Sequence, residues 1–201
     1  MNRKHAEIEG IVHLIHQKNK SLLDLIGKEP PVDYFTQAVA LIRQDHASEA
    51  AAFAIHEHKK NSLSFMPNAW RRELELHRHS WDGCERWWAG FPLIAWIELR
   101  PVTASRKAHL RIIAEVGPLH DYSFRKSLIE TIRQGGQEQR LQRIKFPAGA
   151  TDQTCRYSRF FHGNSIEIEL SSGELLARDI KNLINSFGPE IDLVAASIRK
   201  L

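Results

Sequence analysis

Residues 91–116 read FPLIAWIELRPVTASRKAHLRIIAEV and contain the two strongest strand patterns of the 201-residue chain. The first, 91–99, is a nearly continuous apolar run bounded by a glycine and a proline, which favours a buried strand. In the second, 109–116, apolar side chains alternate with charged ones, as they do on a strand with two different faces. The polar link 100–107 suits a hairpin loop. We therefore predict an antiparallel pair of strands here.

Helical patterns precede this pair. Residues 3–18 place Ile and Val at the i, i+3, i+4 and i+7 spacing of an amphipathic helix. Asp33 is positioned to cap a second, long helix over 34–59. We expect 1–60 to be a helical segment and 61–201 an α+β domain, the two forming one continuous structural unit.

A helix is also expected directly after the strand pair. Asp121 can cap a helix near 122–134, and Gly135-Gly136 would then stop it. Apolar and basic residues alternate next, which predicts a strand over 141–146.

The C-terminal third returns to helical patterns. We predict a further strand over 156–161 and either helix or strand over 166–170. The Ser-x-x-Glu pattern in 171–174 has the form of a capping box and predicts the start of a helix. Gly188-Pro189 separates that helix from a last one. N-terminal helices, a small mostly antiparallel sheet with an inserted helix, and C-terminal helices make an α+β class.

Composition excludes several classes of protein. A hydrophobic content of 42 % can bury a core, so the chain is not typical of a disordered protein. No apolar run approaches the roughly 20 residues that a membrane span needs, and the first residues form no signal peptide. The two cysteines, Cys84 and Cys155, provide no disulfide framework. We expect a cytoplasmic protein with no membrane association.

Positive charge is concentrated in the middle of the chain. The formal net charge of +4 divides into zero over 1–60, +6 over 61–165 and −2 over 166–201. The middle region carries 13 Arg and only 3 Lys, and arginine suits bidentate contact with phosphate or carboxylate. This pattern is typical of a solvated mixed-charge surface or of a surface that binds an anionic partner such as nucleic acid.

All five tryptophans lie within 27 residues, interleaved with arginines; they are Trp70, Trp81, Trp87, Trp88 and Trp96. Such a window is either the packed centre of a small β-scaffold or a surface on which bases stack. We expect Trp70, Trp87 and Trp96 to lie mainly in the core, with Trp96 the firmest of the three. Trp87 and Trp88 also stay candidates for contact with a ligand.

Three local patterns, in this order, resemble one known family. Arg3-Lys4-His5 precedes an Ile/Leu-rich helix pattern. Phe65–Trp70 reads FMPNAW, and Trp81 follows about ten residues later. Ala114–Pro118 reads AEVGP, and Arg125 follows in the next predicted helix. Together they resemble the C-terminal half of bacterial PD-(D/E)XK nuclease superfamily proteins.

The resemblance covers most of residues 3–135 and implies a nuclease core upstream. That core needs an Asp and a Glu-x-Lys or Asp-x-Lys triplet on adjacent strands, where the carboxylates hold a divalent metal. The acidic-x-Lys triplets of this chain are Glu57-His58-Lys59 and Asp179-Ile180-Lys181, and both lie in segments with a helical pattern. We therefore expect a non-catalytic accessory module without a cofactor; magnesium would be needed only by an upstream core or by a diverged site within this chain.

Two other chemistries are open. A diverged nuclease site would use Asp82, Glu98 and Glu115 with Arg100 in the lysine position, although arginine does not readily deprotonate. The same glutamates would otherwise pair with arginines on neighbouring strands. A zinc site would draw on His77, His79, Cys84, Cys155 and His162, but no Cys-x-x-Cys pair supports it.

Nucleic-acid contact is the main functional prediction. Its candidates are basic side chains for phosphates and two rings for bases: Arg71, Arg72, Arg78, Arg106, Lys107, Arg140, Arg143, Lys145, Arg156, Arg159, Trp87 and Trp88. The expected partners are DNA and the upstream nuclease core. The alternative is a protein-interaction module that forms a homodimer through its N-terminal helices.

Overall fold

The computed structural model describes residues 32–45, 52–77, 81–102 and 105–201. The chain separates into two compact units, Met1–Asp33 and Tyr34–Leu201. The predicted helix over 3–18, Arg3-Lys4-His5 and Arg78 lie outside the described residues, so the dimerisation alternative stays a prediction.

The described part of Tyr34–Leu201 combines five α-helices with a six-stranded antiparallel sheet, which confirms the α+β class. The helices are α1 (Tyr34–Asp45), α2 (Asn68–Leu76), α3 (Tyr122–Glu138), α4 (Gly173–Ser186) and α5 (Gly188–Ile198). The strands are β1 (Phe53–Lys59), β2 (Ser62–Pro67), β3 (Leu93–Pro101), β4 (Lys107–Val116), β5 (Ser158–Arg159) and β6 (Ser165–Glu169). The strand order is β1-β2-β3-β4, and both β5 and β6 pair with β4.

The predicted strand pair is confirmed and lies in the middle of the sheet. β3 and β4 pair from Leu93↔Val116 to Pro101↔Ala108. On one face of this pair, Ala95, Ile97 and Ile112 are fully buried in the core. Paired residues of neighbouring strands lie on the same face of the sheet. The helices pack on this face and bury its apolar side chains.

The helices form a layer whose members pack on one another. Contacts join α1 to α4 and join both α2 and α3 to α5. Trp70, at the start of α2, is fully buried, and its indole N–H donates to the Ile191 carbonyl at 2.8 Å. This bond ties α2 to α5 and satisfies the polar atom of the ring inside the core.

The predicted helix over 34–59 is wrong in its second half. The helix ends at Asp45, and Phe53–Lys59 is a strand that pairs with β2 through a turn at Lys60-Asn61. The segment 1–60, predicted to be helical, therefore contains strand β1 of the sheet. The pairing partner lies next in sequence, and hairpin formation overrides a helical apolar spacing that is weak beyond Asp45.

Two further predictions fail around the end of α3. The helix continues to Glu138 through Gly135 and Gly136, which are buried. A Cβ on either glycine would meet Leu193 or Ile144 within 2.7–3.0 Å, so these glycines allow close packing and do not stop the helix. Residues 141–146 form no strand; they contribute one isolated bridge, Ile144↔Phe161.

The predicted helix starts are confirmed, but the cap of the second helix is shifted by one residue. The Asp121 carboxylate accepts from the Phe124 N–H at 3.0 Å. In α4 the Ser172 hydroxyl accepts from the Leu175 N–H at 3.2 Å, so the cap is Ser172 and not Ser171, the first residue of the Ser-x-x-Glu pattern. The segment 166–170, open between helix and strand, is mostly strand β6. The predicted strand over 156–161 is reduced to the two residues of β5.

In the described residues, no helix combines the length and apolar character that crossing a bilayer requires.

Candidate nucleic-acid interface

The segment 81–92 between α2 and β3 is held by buried groups. Trp81 is buried, and its indole N–H donates to the Leu74 carbonyl at 2.9 Å. The Cys84 thiol is fully buried and donates to the Trp81 carbonyl at 2.8 Å; desolvation raises the pKa of this thiol to about 11. The His120 N–H donates to the Asp82 carbonyl, which connects the segment to the β4–α3 turn. These bonds fix where the neighbouring side chains point.

The outcome for the tryptophans is mixed. Trp70 and Trp96 are buried as predicted. Trp88 is half-buried and stacks on Trp96 with ring centroids 5.7 Å apart and planes 20° apart. The Lys59 ammonium lies 5.6 Å from the Trp88 ring centroid. Trp88 therefore covers part of the sheet face opposite the helices.

Trp87 is half-buried because it lies against a glycine. A Cβ built on Gly117 would lie 2.2 Å from Cζ3 of Trp87, so only glycine leaves room for the ring. Two further rings lie near Trp87: Trp88, with ring centroids 6.5 Å apart, and Tyr157, with ring centroids 6.2 Å apart. Tyr157 is 48 % exposed, so aromatic surface is open to solvent here.

These rings line an open cleft of about 540 Å³, here termed the Arg–aromatic cleft. It is lined by Gly83, Glu85, Arg86, Trp87, Pro118, Arg156 and Tyr157. Arg86 and Arg156 are exposed, and neither is ion-paired with a carboxylate of the described residues.

Glu85 is the one carboxylate among the residues that line this cleft, and it is hydrogen-bonded to the backbone two residues before it. It accepts from the Gly83 N–H at 2.8 Å. That backbone bond is the main reason why the pKa of the Glu85 carboxyl lies below its ordinary value, and His120 and Arg86 contribute further. The cleft therefore presents two arginines, one carboxylate and two rings.

A second cleft of about 370 Å³ shares Pro118 and Arg156 with the first and is here termed the Arg125 cleft. Arg125 is 3 % exposed and donates to the Gly117 carbonyl, the Ala150 carbonyl and the Ser158 hydroxyl at 2.7–3.1 Å. Burial lowers the pKa of the Arg125 guanidinium, while the neighbouring Cys155 acts in the opposite direction.

The predicted phosphate-binding side chains are distributed over several elements. Four of them are ion-paired: Arg71 with Glu75, Lys107 with Glu167, Arg143 with Glu190, and Arg159 with Glu115. Five others make no ion pair within the described ranges: Arg72, Arg106, Arg140, Lys145 and Arg156. Arg156 and Trp87 are the members of the predicted set that line the Arg–aromatic cleft.

Arg143 has a structural role in the packing of its segment against α4 and α5. It forms two hydrogen bonds to the Glu190 carboxylate at 2.8 Å, one more to the Ser186 carbonyl, and lies 4.0 Å from the Phe187 ring centroid. The Glu190 side chain is 3 % exposed. Arg143 therefore neutralises a buried carboxylate, and contact with DNA would compete with that pairing.

Two of the carboxylates considered for a diverged nuclease site lie far apart. Glu98 pairs with Arg111 across the sheet, and Glu115 lies four residues further along β4, about 13 Å away along the strand. Metal–oxygen distances are about 2.0–2.6 Å, so these two cannot hold one ion. Glu98 is ion-paired with Arg100, as Glu115 is with Arg159.

The triplet Glu57-His58-Lys59 lies on strand β1, so its assignment to a helix is wrong. Glu57 and Lys59 pair with each other at 3.1 Å. Strand β2 separates them from Glu98, a distance of about 10 Å. Within the described ranges, no three His, Cys, Asp or Glu side chains lie close enough to bind a metal ion. Of the zinc candidates, His79 lies outside those ranges, and Cys84 is in the core.

Sequence reasoning missed Arg86, Tyr157 and Arg125 as members of a site. A repeated dipeptide indicates the first two: in Arg86-Trp87 and in Arg156-Tyr157, an arginine directly precedes an aromatic residue. Their 70-residue separation in sequence hides the fact that the fold brings them to one cleft.

Comparisons of the chain with protein-family models, with curated proteins and with solved structures found no match.

Proposed function

We propose that this protein binds nucleic acid, as single-stranded DNA, through the Arg–aromatic cleft and does not itself catalyse a reaction. The observation that carries this proposal is the convergence of Arg86 and Arg156, both without an ion-paired carboxylate, on the rings of Trp87 and Tyr157. Stacking on aromatic rings contributes about 1–3 kcal/mol per base, and arginine binds the phosphates between bases. Exposed bases make a single strand the better ligand for such a cleft.

Charge balance favours the cleft over the open sheet face. On that face Lys59, Arg100, Lys107 and Arg159 each pair with a glutamate. A phosphate on that face would have to compete with those glutamates for the cations, and it would meet the negative charge of the glutamates themselves. In the Arg–aromatic cleft the arginines are available without that exchange.

The experiment is a fluorescence-anisotropy titration of a labelled single-stranded oligonucleotide. Arg86→Ala and Arg156→Ala should each weaken binding about tenfold, the loss of one charge-assisted contact. Tyr157→Ala should weaken it at least about fivefold, whereas Tyr157→Phe keeps the ring and the affinity. Arg178→Ala, which removes an exposed arginine of α4, is the matched control.

Salt dependence gives an independent readout. Two arginine–phosphate contacts on a single strand predict a slope of about −1.4 for log K against log salt. Affinity should then fall about sevenfold between about 50 and 200 mM salt, and Arg156→Ala should halve the slope. The proposal fails if the oligonucleotide does not bind, or if the cleft variants bind as tightly as Arg178→Ala.

We further propose that this binding serves a PD-(D/E)XK nuclease core. The support is the sequence resemblance, whose residues Trp70, Trp81 and Arg125 are buried and donate side-chain hydrogen bonds to backbone carbonyls. The test is whether the region encoded immediately upstream of Met1 contains an Asp and a Glu-x-Lys triplet on predicted strands. A neighbouring region without that signature, and a protein that does not bind such a core, would contradict this role.

A further inference from the structure

Arg125 carries a buried charge that no carboxylate of the described residues neutralises. Its three hydrogen-bond acceptors are neutral: two backbone carbonyls and the Ser158 hydroxyl. A guanidinium stays protonated in proteins, and a buried charge is normally paired with an opposite charge. The contrast with Arg143, which is held by a buried carboxylate, is marked.

The Arg125 guanidinium has a donor left for a ligand. It has five N–H groups: three make the hydrogen bonds above, a fourth is engaged with the Cys155 thiol, and one is unused. It lines a cleft of about 370 Å³ together with Arg156, His120 and Gln153, and none of the residues that line this cleft is an aspartate or glutamate. The cleft therefore combines a fixed buried cation with an exposed one.

The two clefts are adjacent and share lining residues. Pro118 and Arg156 belong to both, so a group bound near Arg125 lies beside the Trp87 and Tyr157 rings. A terminal phosphate monoester carries a charge of about −1.5 to −2 and three acceptor oxygens, which two arginines satisfy better than an internal phosphodiester does. The lining thus places two arginines, which suit a doubly charged phosphate, beside two rings that suit the first bases of a strand.

We propose that the Arg125 cleft binds the terminal phosphate of a nucleic-acid strand whose end bases stack in the Arg–aromatic cleft. This inference rests on the proposed function and names its ligand, the phosphorylated end of a single strand. Arg125 provides the fixed contact and Arg156 the second charge. Free inorganic phosphate shares this chemistry and should compete for the same cleft.

The other structural account is that Arg125 only links the start of α3 to β5 and the Ala148–Thr151 turn. The Cys155 thiol lies 3.4 Å from the Ser158 hydroxyl and contacts the Arg125 guanidinium, so it belongs to that structural account. Cys155→Ser keeps a hydrogen-bonding side chain there and tests whether the thiol itself is needed for phosphate binding. Arg125→Lys keeps a charge but loses the planar fork that makes these contacts.

The experiment compares three oligonucleotides of one sequence, carrying a 5′-phosphate, a 3′-phosphate or no terminal phosphate, on the full chain. One phosphorylated end should bind about tenfold more tightly than the unphosphorylated strand, and inorganic phosphate should abolish that preference. Arg156→Gln and Arg125→Lys should each lose the preference, while Cys155→Ser and Arg178→Gln retain it. Inorganic phosphate should also raise the melting temperature of the wild type but not of Arg156→Gln.

Equal binding of all three strands would overturn the phosphate site and leave the proposed function standing. Absence of any oligonucleotide binding, with phosphate still raising the melting temperature, would refute the proposed function and show the site to be one for free phosphate. Loss of the preference in Cys155→Ser would overturn the site as proposed, because the preference would then depend on the thiol and not on the two arginines. Because Arg156 is exposed, Arg156→Gln remains informative even if Arg125→Lys does not fold.

Discussion

Replacing Gly117 by alanine should displace Trp87 from its place in the cleft. The added Cβ would lie 2.2 Å from the ring, whereas carbon atoms in contact stay about 3.5 Å apart, so the ring has to move by about 1.3 Å. The backbone of Gly117 does not adopt a positive φ, so this contact is the sole obstacle to a side chain there. Overpacking of this kind costs about 1–3 kcal/mol.

The assay is urea unfolding followed by tryptophan fluorescence. Gly117→Ala should lower the free energy of unfolding by about 1–3 kcal/mol and the melting temperature by about 3–10 °C. Gly188→Ala is the matched control, since a Cβ there meets no atom within 4 Å. It should change stability by less than about 1 kcal/mol, in the stabilising direction.

A double-mutant cycle isolates the contact. In a Trp87→Ala background the ring is absent, so Gly117→Ala should cost less than about 0.5 kcal/mol. The coupling between the two positions should therefore be about 1–3 kcal/mol. Additive effects, or a Gly117→Ala variant as stable as Gly188→Ala, would refute the placement of Trp87 against Gly117.

Three other substitutions or treatments test the packing. Trp70→Phe removes the indole N–H that donates to the Ile191 carbonyl, together with part of a fully buried ring, and should destabilise the protein by about 1–3 kcal/mol in urea unfolding; an unchanged midpoint would contradict that bond. Arg143→Ala leaves a buried carboxylate unpaired and should cost about 3 kcal/mol, whereas the exposed Lys145→Ala should stay within about 0.5 kcal/mol; equal costs would show that Arg143 is not structural. Because burial raises the pKa of Cys84 to about 11, a thiol reagent at pH 8 should modify one cysteine in the native protein and two in the unfolded one. Rapid modification of both cysteines in the native state would contradict the burial of Cys84.

Local patterns predicted the parts of the fold that depend on local physics. The β3–β4 pair follows from the apolar and alternating patterns within 91–116, and the start of α3 follows from Asp121 as its capping residue. The start of α4 follows from the serines at 171–172, although Ser172 makes the cap and the Ser-x-x-Glu pattern predicts Ser171. β1 was missed because a strand of seven residues with two histidines is stabilised by its partner, which its own sequence does not reveal. Gly135 and Gly136 were misread since close packing, a tertiary property, explains them.

The candidate site was only partly predictable, because charge alone does not distinguish a free arginine from a paired one. Arg143 has the same sequence context as a phosphate contact, yet its partner Glu190 lies 47 positions away. Arg156 and Trp87 were predicted, while Tyr157 joins them only through the approach of the 153–157 segment to Trp87. Most tryptophans of the 70–96 window thus lie in the core, and one of them, Trp87, lines the Arg–aromatic cleft.

Photocrosslinking with peptide mapping tests the central claim most directly. Single-stranded DNA irradiated in complex with the protein should crosslink to aromatic side chains on which its bases stack. We expect the crosslinked residues to be Trp87 and Tyr157, with crosslinking lost in the Arg86→Ala/Arg156→Ala double variant. Efficient crosslinks confined to other parts of the chain, or crosslinks that survive in that double variant, would contradict binding in the Arg–aromatic cleft.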